Sequence, residues 1–527
     1  MVPMLSIFHP GPPLKSLPMG RRKAAALSAR GDSYRSCLST LLAIAAMTGA
    51  ISVAQGHTAQ QQIGLTHMRI VAPELTGAGI TVAQVEASPS RHADKFEPSC
   101  TATGQPNSKF TFINRFGSVS LIQKIRAESA HATQVGRIFY GNEGGNFKTG
   151  LCPGVGHIDV WDARALYRQL CSASPLLIPP GQTTAPAIVN QSYVFEAATT
   201  SEIQSVDSLF DNYAVRHNTL FISAVGNGLE MTTDTGQPSE VNPPADAYNG
   251  LAVATCDGNT GIGPTCNGRS KPDISAPGNE TSYAAPLVSG AATLLLQAGR
   301  EGLGGSTVAS TDIRVIKALL LNGASKPPDW TNSYTIYANV YSFHAPDAFT
   351  LTPFDPRYGS GVLNIYNSYK NLVAGEHSPT ISTNLNIHAM VRTYPHAVTH
   401  EPLEGWNLGS SSTPAGGNRL HHYLFHLSGT STISWNLTAT LDWDVTWAGS
   451  TLMMNHFYLY LLNSSGDVAW SKSFIDNVQQ IHLTGLAPGT YDLVVMELGY
   501  TVPIFRSHYA VSWDFTPNHA LVAKRHH

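Results

Sequence analysis

Between residues 64 and 300, short apolar runs alternate with amphipathic ones, and this alternation restricts the fold more than any other feature of the chain. GITVAQVEA (79–87) reads as an apolar strand entered by a glycine turn. SAHATQVGRIFYG (129–141) reads as a helix with Ser129 as its cap, and APAIVNQSYV (185–194) as a buried strand. SEIQSVDSLFDNYAVRH (201–217) places Ile203, Val206, Phe210 and Tyr213 on one helical face. TLFISAVGN (219–227) is a strand that ends on a glycine turn. Strands and helices in alternation predict a doubly wound, mostly parallel α/β sheet. In such sheets reactive groups gather at the carboxyl ends of the strands.

The pattern changes further on. Two more helices are predicted at roughly 284–300 and 311–323, and from about 375 to 415 Ser, Thr, Pro, Gly and His dominate. Then Ile433, Trp435, Leu437, Ala439, Leu441 and Trp443 alternate with Ser434, Asn436, Thr438, Thr440 and Asp442. A period of two over this length predicts strands with one dry and one wet face, hence an antiparallel β-sandwich. The expected organisation is an export signal (1–54), an α/β domain (55–375), a linker (376–399), a sandwich (400–515) and a tail (516–527).

Charged residues make up 13% of the chain and the net charge is only −3, which argues against nucleic acid as a partner. Arg21, Arg22, Lys23, Arg30 and Arg35 precede the apolar run CLSTLLAIAAMTGAISVA (37–54), and Ser52 and Ala54 fit a small-x-small cleavage site. A membrane anchor is the alternative, but Ser, Thr and Gly interrupt the run. The expectation is a secreted chain with no membrane contact after cleavage. Export permits disulfides. Of Cys100, Cys152, Cys171, Cys256 and Cys266, the last two flank a turn-rich loop and are the expected pair.

SAPGNETSYAAPLVSGAATLLLQ (275–297) carries a serine-bearing turn into an apolar helix. Ser282 is either a helix cap or a nucleophile. A serine nucleophile needs a base, a carboxylate to orient that base, and donors for the oxyanion. Candidates for each of these parts occur in the chain where predicted strand ends would bring them together.

At this point the chain resembles the subtilisin-like serine peptidases. ETSYAAPLVSG is similar to their Gly-Thr-Ser-x-Ala-Ala-Pro-x-Val-Ser-Gly motif, and SKPDISAPG (270–278) to the segment before it. AHATQVG resembles His-Gly-Thr-x-Val-Ala-Gly, ISAVGNG the Ala-Ala-Gly-Asn-x-Gly loop, and DPRYGSGVLNIYNSY (355–369) the closing helix entry. The order acid, base, nucleophile is also that of the family. The resemblance implies a triad of Glu86, His131 and Ser282, an oxyanion donor at Asn227, and a substrate-pairing strand edge at Asn190, Gln191 and Ser192. It implies a polypeptide substrate and an endopeptidase, with no cofactor. No ligand spacing among the 21 histidines supports a metal.

Three departures accompany the resemblance. Glu86 stands where the family has Asp, with Asp94 as a reserve acid. Ala132 and Glu280 each replace Gly. Asn279 alone joins two segments that the family usually separates by a long loop. These departures motivate two rival expectations: a degenerate fold that binds rather than cleaves, and an acid-active carboxyl-serine peptidase of the sedolisin kind. The acceptor patterns at Asn190 and Asn279, both expected in the cleft, point to an exporting bacterium rather than a glycosylating host.

Overall fold

The computed structural model describes residues 59–89, 94–142, 149–195, 199–228, 240–337, 340–382, 386–390, 399–411, 419–430, 432–498 and 507–519. The predicted export segment and the far C-terminal tail lie outside the described residues.

Eight strands form the first sheet: β1 (Thr81–Glu86), β2 (Phe110–Ile113), β3 (Val119–Ser120), β4 (His157–Asp162), β5 (Ile188–Gln191), β6 (Leu220–Ala224), β7 (Leu251–Thr255) and β8 (Ile274–Ala276). Their order is β3-β2-β4-β1-β5-β6-β7-β8. Only the β2–β3 pair is antiparallel. The chain leaves β1 towards β2 and β4 on one side, then crosses to β5 on the other. The strand order therefore reverses around β1, and the crevice at a reversal point is where such sheets hold their sites. Glu86 is the last residue of β1.

The flanking helices are α1 (Ala130–Tyr140), α2 (Ala163–Leu170), α3 (Thr200–His217), α4 (Thr281–Arg300), α5 (Ile313–Gly323) and α6 (Ile365–Ala374). Ser129 caps α1 as predicted, its hydroxyl accepting from the Ala132 N–H at 3.2 Å. The apolar face predicted for α3 is buried at Ile203, Val206, Phe210 and Tyr213. α4 is buried along almost its whole length.

Residues beyond α6 complete a sandwich of two antiparallel sheets. The smaller sheet runs Glu404–Ser411, Ser507–His519, Ile433–Trp443, Val478–Leu486. The larger has six strands, and its edge strands, Phe349–Thr350 and Thr380–Ser382, come from before residue 400. The dry face predicted for 433–443 lies between the sheets, with Leu437, Ala439 and Leu441 fully buried.

The face predicted to be wet is a correction. Thr440 and Asp442 are buried as well, because this side of the sandwich packs on α5. Polar groups line the seam and pair across it. Lys317 Nζ meets Asp442 Oδ1 at 2.9 Å, Asn322 Oδ1 accepts from Thr440 Oγ1, and Asn249 Nδ2 donates to Val445 O. Burial pushes the Asp442 carboxyl up to about 7, against the pull of Lys317.

The expected Cys256–Cys266 disulfide is also corrected, since the two residues are not bonded. Cys266 is packed against Ile203 instead, and the Cys256 N–H extends the sheet by bonding to Ala276 O. Hydrogen bonds from Gly261 to Gly226 and from Thr265 to Arg269 tie down the loop between them.

The Lys317–Asp442 pair tests the seam. Removing one partner strands a buried charge, so Lys317→Met should cost about 3–5 kcal/mol, while Lys317→Met with Asp442→Leu should recover most of it. Denaturant unfolding of both variants checks this. Equal losses in the single and double variants would show that the pair does not couple the two parts.

Candidate active site

β1 and α1 bring the acid and the base together. Glu86 Oε2 accepts from His131 Nδ1 at 2.8 Å. Its other oxygen, Oε1, accepts from Gln84 Nε2 at 2.8 Å. Glu86 is buried, whereas the His131 side chain is 37% exposed, so one edge of the imidazole is held and the other is open to the cleft. His131 sits in the first turn of α1, which Ser129 and Thr133 fasten: the Thr133 hydroxyl donates to Ser129 O and accepts from the Ser99 N–H. The extra methylene of Glu86 therefore does not prevent the bond. Asp94, the reserve acid, forms no hydrogen bond or ion pair with His131. It lies beside Glu97, whose carboxyl is pushed up to about 7, chiefly by burial and further by the Asp94 charge.

Several groups set the His131 proton affinity. Partial burial lowers it, but the charge of Glu86 and its hydrogen bond raise it, and the charge of Glu280 raises it further. The net direction is upward from the usual 6.5.

Ser282 is not a helix cap. α4 begins at Thr281 with Glu280 in the capping position, so Ser282 lies inside the first turn. Glu280 has extended backbone (φ −145°), so replacing glycine there introduces no strain. The Ser282 hydroxyl lies 3.5 Å from Ser192 O and makes no hydrogen bond to His131. The Tyr283 ring lies 5.7 Å from the imidazole, which brings the start of α4 alongside His131. A step between staggered χ1 wells swings Oγ by about 2 Å, and such hydrogen bonds commonly tighten only when substrate binds.

The proline in α4 has a structural purpose. Pro286 has no N–H to offer the Ser282 carbonyl four residues earlier. The Ser192 hydroxyl takes that place, donating to Ser282 O at 2.9 Å. The end of β5 is thereby stitched to the turn that carries Ser282.

Asn227 follows β6 between Gly226 and Gly228, both with positive φ. A Cβ on Gly226 would come 2.9 Å from Asn242 Nδ2, so the tight turn requires glycine. Asn227 Oδ1 accepts from the Thr281 N–H (3.0 Å) and hydroxyl (2.8 Å). These two bonds fix the sense of the amide, so Nδ2 is the end of this exposed side chain left to donate. The Ser282 N–H belongs to the first helical turn, where backbone donors lack intrahelical partners and the dipole favours negative charge.

Asn190 and Gln191, expected at a substrate edge, are a correction. β5 is a central strand whose backbone pairs with β1 and β6, and both residues are fully buried. Asn190 accepts from Ser289 of α4, and Gln191 donates to Tyr193 and accepts from Ser223. Burial also removes Asn190 from the cleft as a glycan acceptor. Ser192 lies one residue past the strand, where the pairing ends. The short 278–280 connection is pinned by Asp257, which accepts from the Gly278 N–H at 2.7 Å, and by Thr255, which donates to Gly278 O. The polar residue within the buried TVAQVE strand, Gln84, was the signal that sequence reading passed over.

An acid, an imidazole, a hydroxyl and two N–H donors grouped in this way are equipped for nucleophilic acyl transfer. Residues 77–341 match the family model described as the subtilase family. Among solved structures the chain is similar to tripeptidyl peptidase 2 (TPP II), at 13% identity over 74% of this chain with a TM-score of 0.33, and it spans 40% of that chain's length. It is also similar to the CspB protease of Clostridium perfringens, at 14% identity over 60% of this chain and 97% of that one, with a TM-score of 0.42. No curated protein matches.

Because Glu280 helps hold the His131 proton, Glu280→Gln should lower the imidazole pKa by a few tenths of a unit, and less in high salt. The neutral fraction at a given acidic pH then rises. Imidazole titration by NMR, in both proteins, reads this directly. An unchanged or upward-moving titration would show that the Glu280 charge is not felt at the ring.

Proposed function

The chain belongs to the subtilase family of serine peptidases, and on that premise we propose that it is a secreted endopeptidase working through a Ser282–His131–Glu86 triad. Ser282 Oγ attacks the carbonyl carbon of a peptide bond while His131 Nε2 takes the hydroxyl proton. The tetrahedral oxyanion is met by Asn227 Nδ2 and the Ser282 N–H. Collapse expels the amine, which receives the proton from His131 and leaves an acyl-enzyme. Water, deprotonated by His131, then releases the acid and restores the serine. Glu86 holds the Nδ1–H tautomer and stabilises the imidazolium at each transfer. Substrate adds as a strand along the backbone just past β5, beginning at Ser192.

The observation that carries this reading is the 2.8 Å Glu86–His131 bond with the start of α4 beside the same ring. Secretion rests on the export pattern at 1–54. One observation favours a second reading, a binding protein on a degenerate fold: the Ser282 hydroxyl bonds to Ser192 O and not to His131. The acid-active alternative loses its motive, since the carboxylate of Glu86 is engaged by His131 and Gln84.

A fluorophosphonate probe separates the two remaining readings. The wild-type chain should be phosphonylated at Ser282 and Ser282→Ala should not. Peptide cleavage should fall by about 10⁴-fold in Glu86→Gln and about 10²–10³-fold in Asn227→Ala. The raised His131 pKa means the base is protonated, and activity lost, as pH falls through a value above 6.5. A wild-type chain that never labels, or cleavage that survives Ser282→Ala, would end the peptidase reading.

A further inference from the structure

Glutamate at the acid position poses a geometric problem. A side chain with one more rotatable bond than aspartate must hold its carboxylate to within about half an ångström for the triad to work. His131 constrains only Oε2. The other oxygen is constrained by a chain of buried polar groups that the mechanism above leaves unused.

Gln84 lies two residues before Glu86 on the same face of β1 and is fully buried. Its amide nitrogen has two hydrogens. One goes to Glu86 Oε1 at 2.8 Å, the other to Ala132 O, also at 2.8 Å. A single amide thus ties the acid to the first turn of α1, next to the base. An amide can be turned end for end, which would present an oxygen to two acceptors. The Tyr140 hydroxyl prevents this by donating to Gln84 Oε1. Tyr140 is fully buried, and burial pushes its phenol well above 10, so it remains a donor. Gly136 completes the arrangement one turn earlier on α1. A Cβ there would come 2.7 Å from the Tyr140 hydroxyl oxygen. The motif quoted above has alanine at this position.

We propose that Gln84 and Tyr140 are positioning residues that hold the Glu86 carboxylate against His131, with Gly136 giving the tyrosine hydroxyl its room. This rests on the peptidase reading of Ser282 and His131. Gln84 fixes the acid relative to α1, and Tyr140 fixes the sense of Gln84. A shorter aspartate would lose the reach to one or both partners, so the longer acid is matched to its supports.

The test uses the purified full chain and measures peptide kcat, KM and the rate of fluorophosphonate labelling. Gln84→Leu should lower kcat about tenfold, since a hydrogen bond to a charged group is lost. Tyr140→Phe, which removes one oxygen atom, should lower it several-fold. KM should stay within about twofold in both. In a Glu86→Gln background, Gln84→Leu should cost less than twofold, because the group it positions is already gone. Glu86→Asp should be slower than wild type. A merely structural role would give equal, additive losses in both backgrounds, and that result overturns the proposal, as does a Tyr140→Phe enzyme with unchanged kcat. A wild-type chain that does not react at all removes the peptidase reading and this relay with it. A reactive wild type with unaffected Gln84 and Tyr140 variants removes the relay alone.

Discussion

A buried carboxylate meeting a half-exposed imidazole is the interaction on which the rest of this structure depends. Glu86 is only 2% exposed, and an unpaired carboxylate at that depth would be expensive to keep ionised. It is tolerated because each oxygen has a donor, His131 on one and Gln84 on the other. β1 must be central for this to hold. Flanked by β4 and β5, it delivers Glu86 to the reversal point of the sheet, and α1, capped by Ser129, presents His131 to the same place.

The serine side is built by a second set of constraints. Pro286 withholds a backbone donor, Ser192 supplies a hydroxyl in its place, and Ser289 reaches Asn190 further along the same helix. α4 is thus attached to β5 by side chains, while Thr281 holds the Asn227 amide in a fixed sense. α5 fastens the sandwich through Lys317 and Asp442, so the C-terminal part shares a buried polar seam with the α/β part.

Much of this was legible before any coordinates. The alternation of strands and helices implied the parallel sheet, Ser129 was identifiable as a cap, and the period of two in 433–443 marked the inner face of the sandwich. Each of these is local: the residues that determine the element lie within it. The misreadings concern what an element packs against. Asp442 looked solvated because its strand alternates, but alternation says which residues share a face and not whether a helix covers it. Asn190 and Gln191 looked like an edge because motif order does not reveal that β6 pairs on the far side. Cys256 and Cys266 looked paired because they are close in sequence, yet one packs on α3 and the other extends the sheet. Gln84 escaped notice because its partners, Ala132 and Tyr140, lie on a helix about 50 residues away.

The central claim is that these elements converge on one reaction centre. A crystal structure of the chain after phosphonate treatment tests it most directly. The account predicts phosphorus bonded to Ser282 Oγ, its charged oxygen about 3 Å from both Asn227 Nδ2 and the Ser282 N–H, and His131 Nε2 within hydrogen-bonding reach of Oγ while Nδ1 stays on Glu86. An adduct at a different residue, or one on Ser282 whose oxygen points away from Asn227 with the imidazole swung off Glu86, would contradict it.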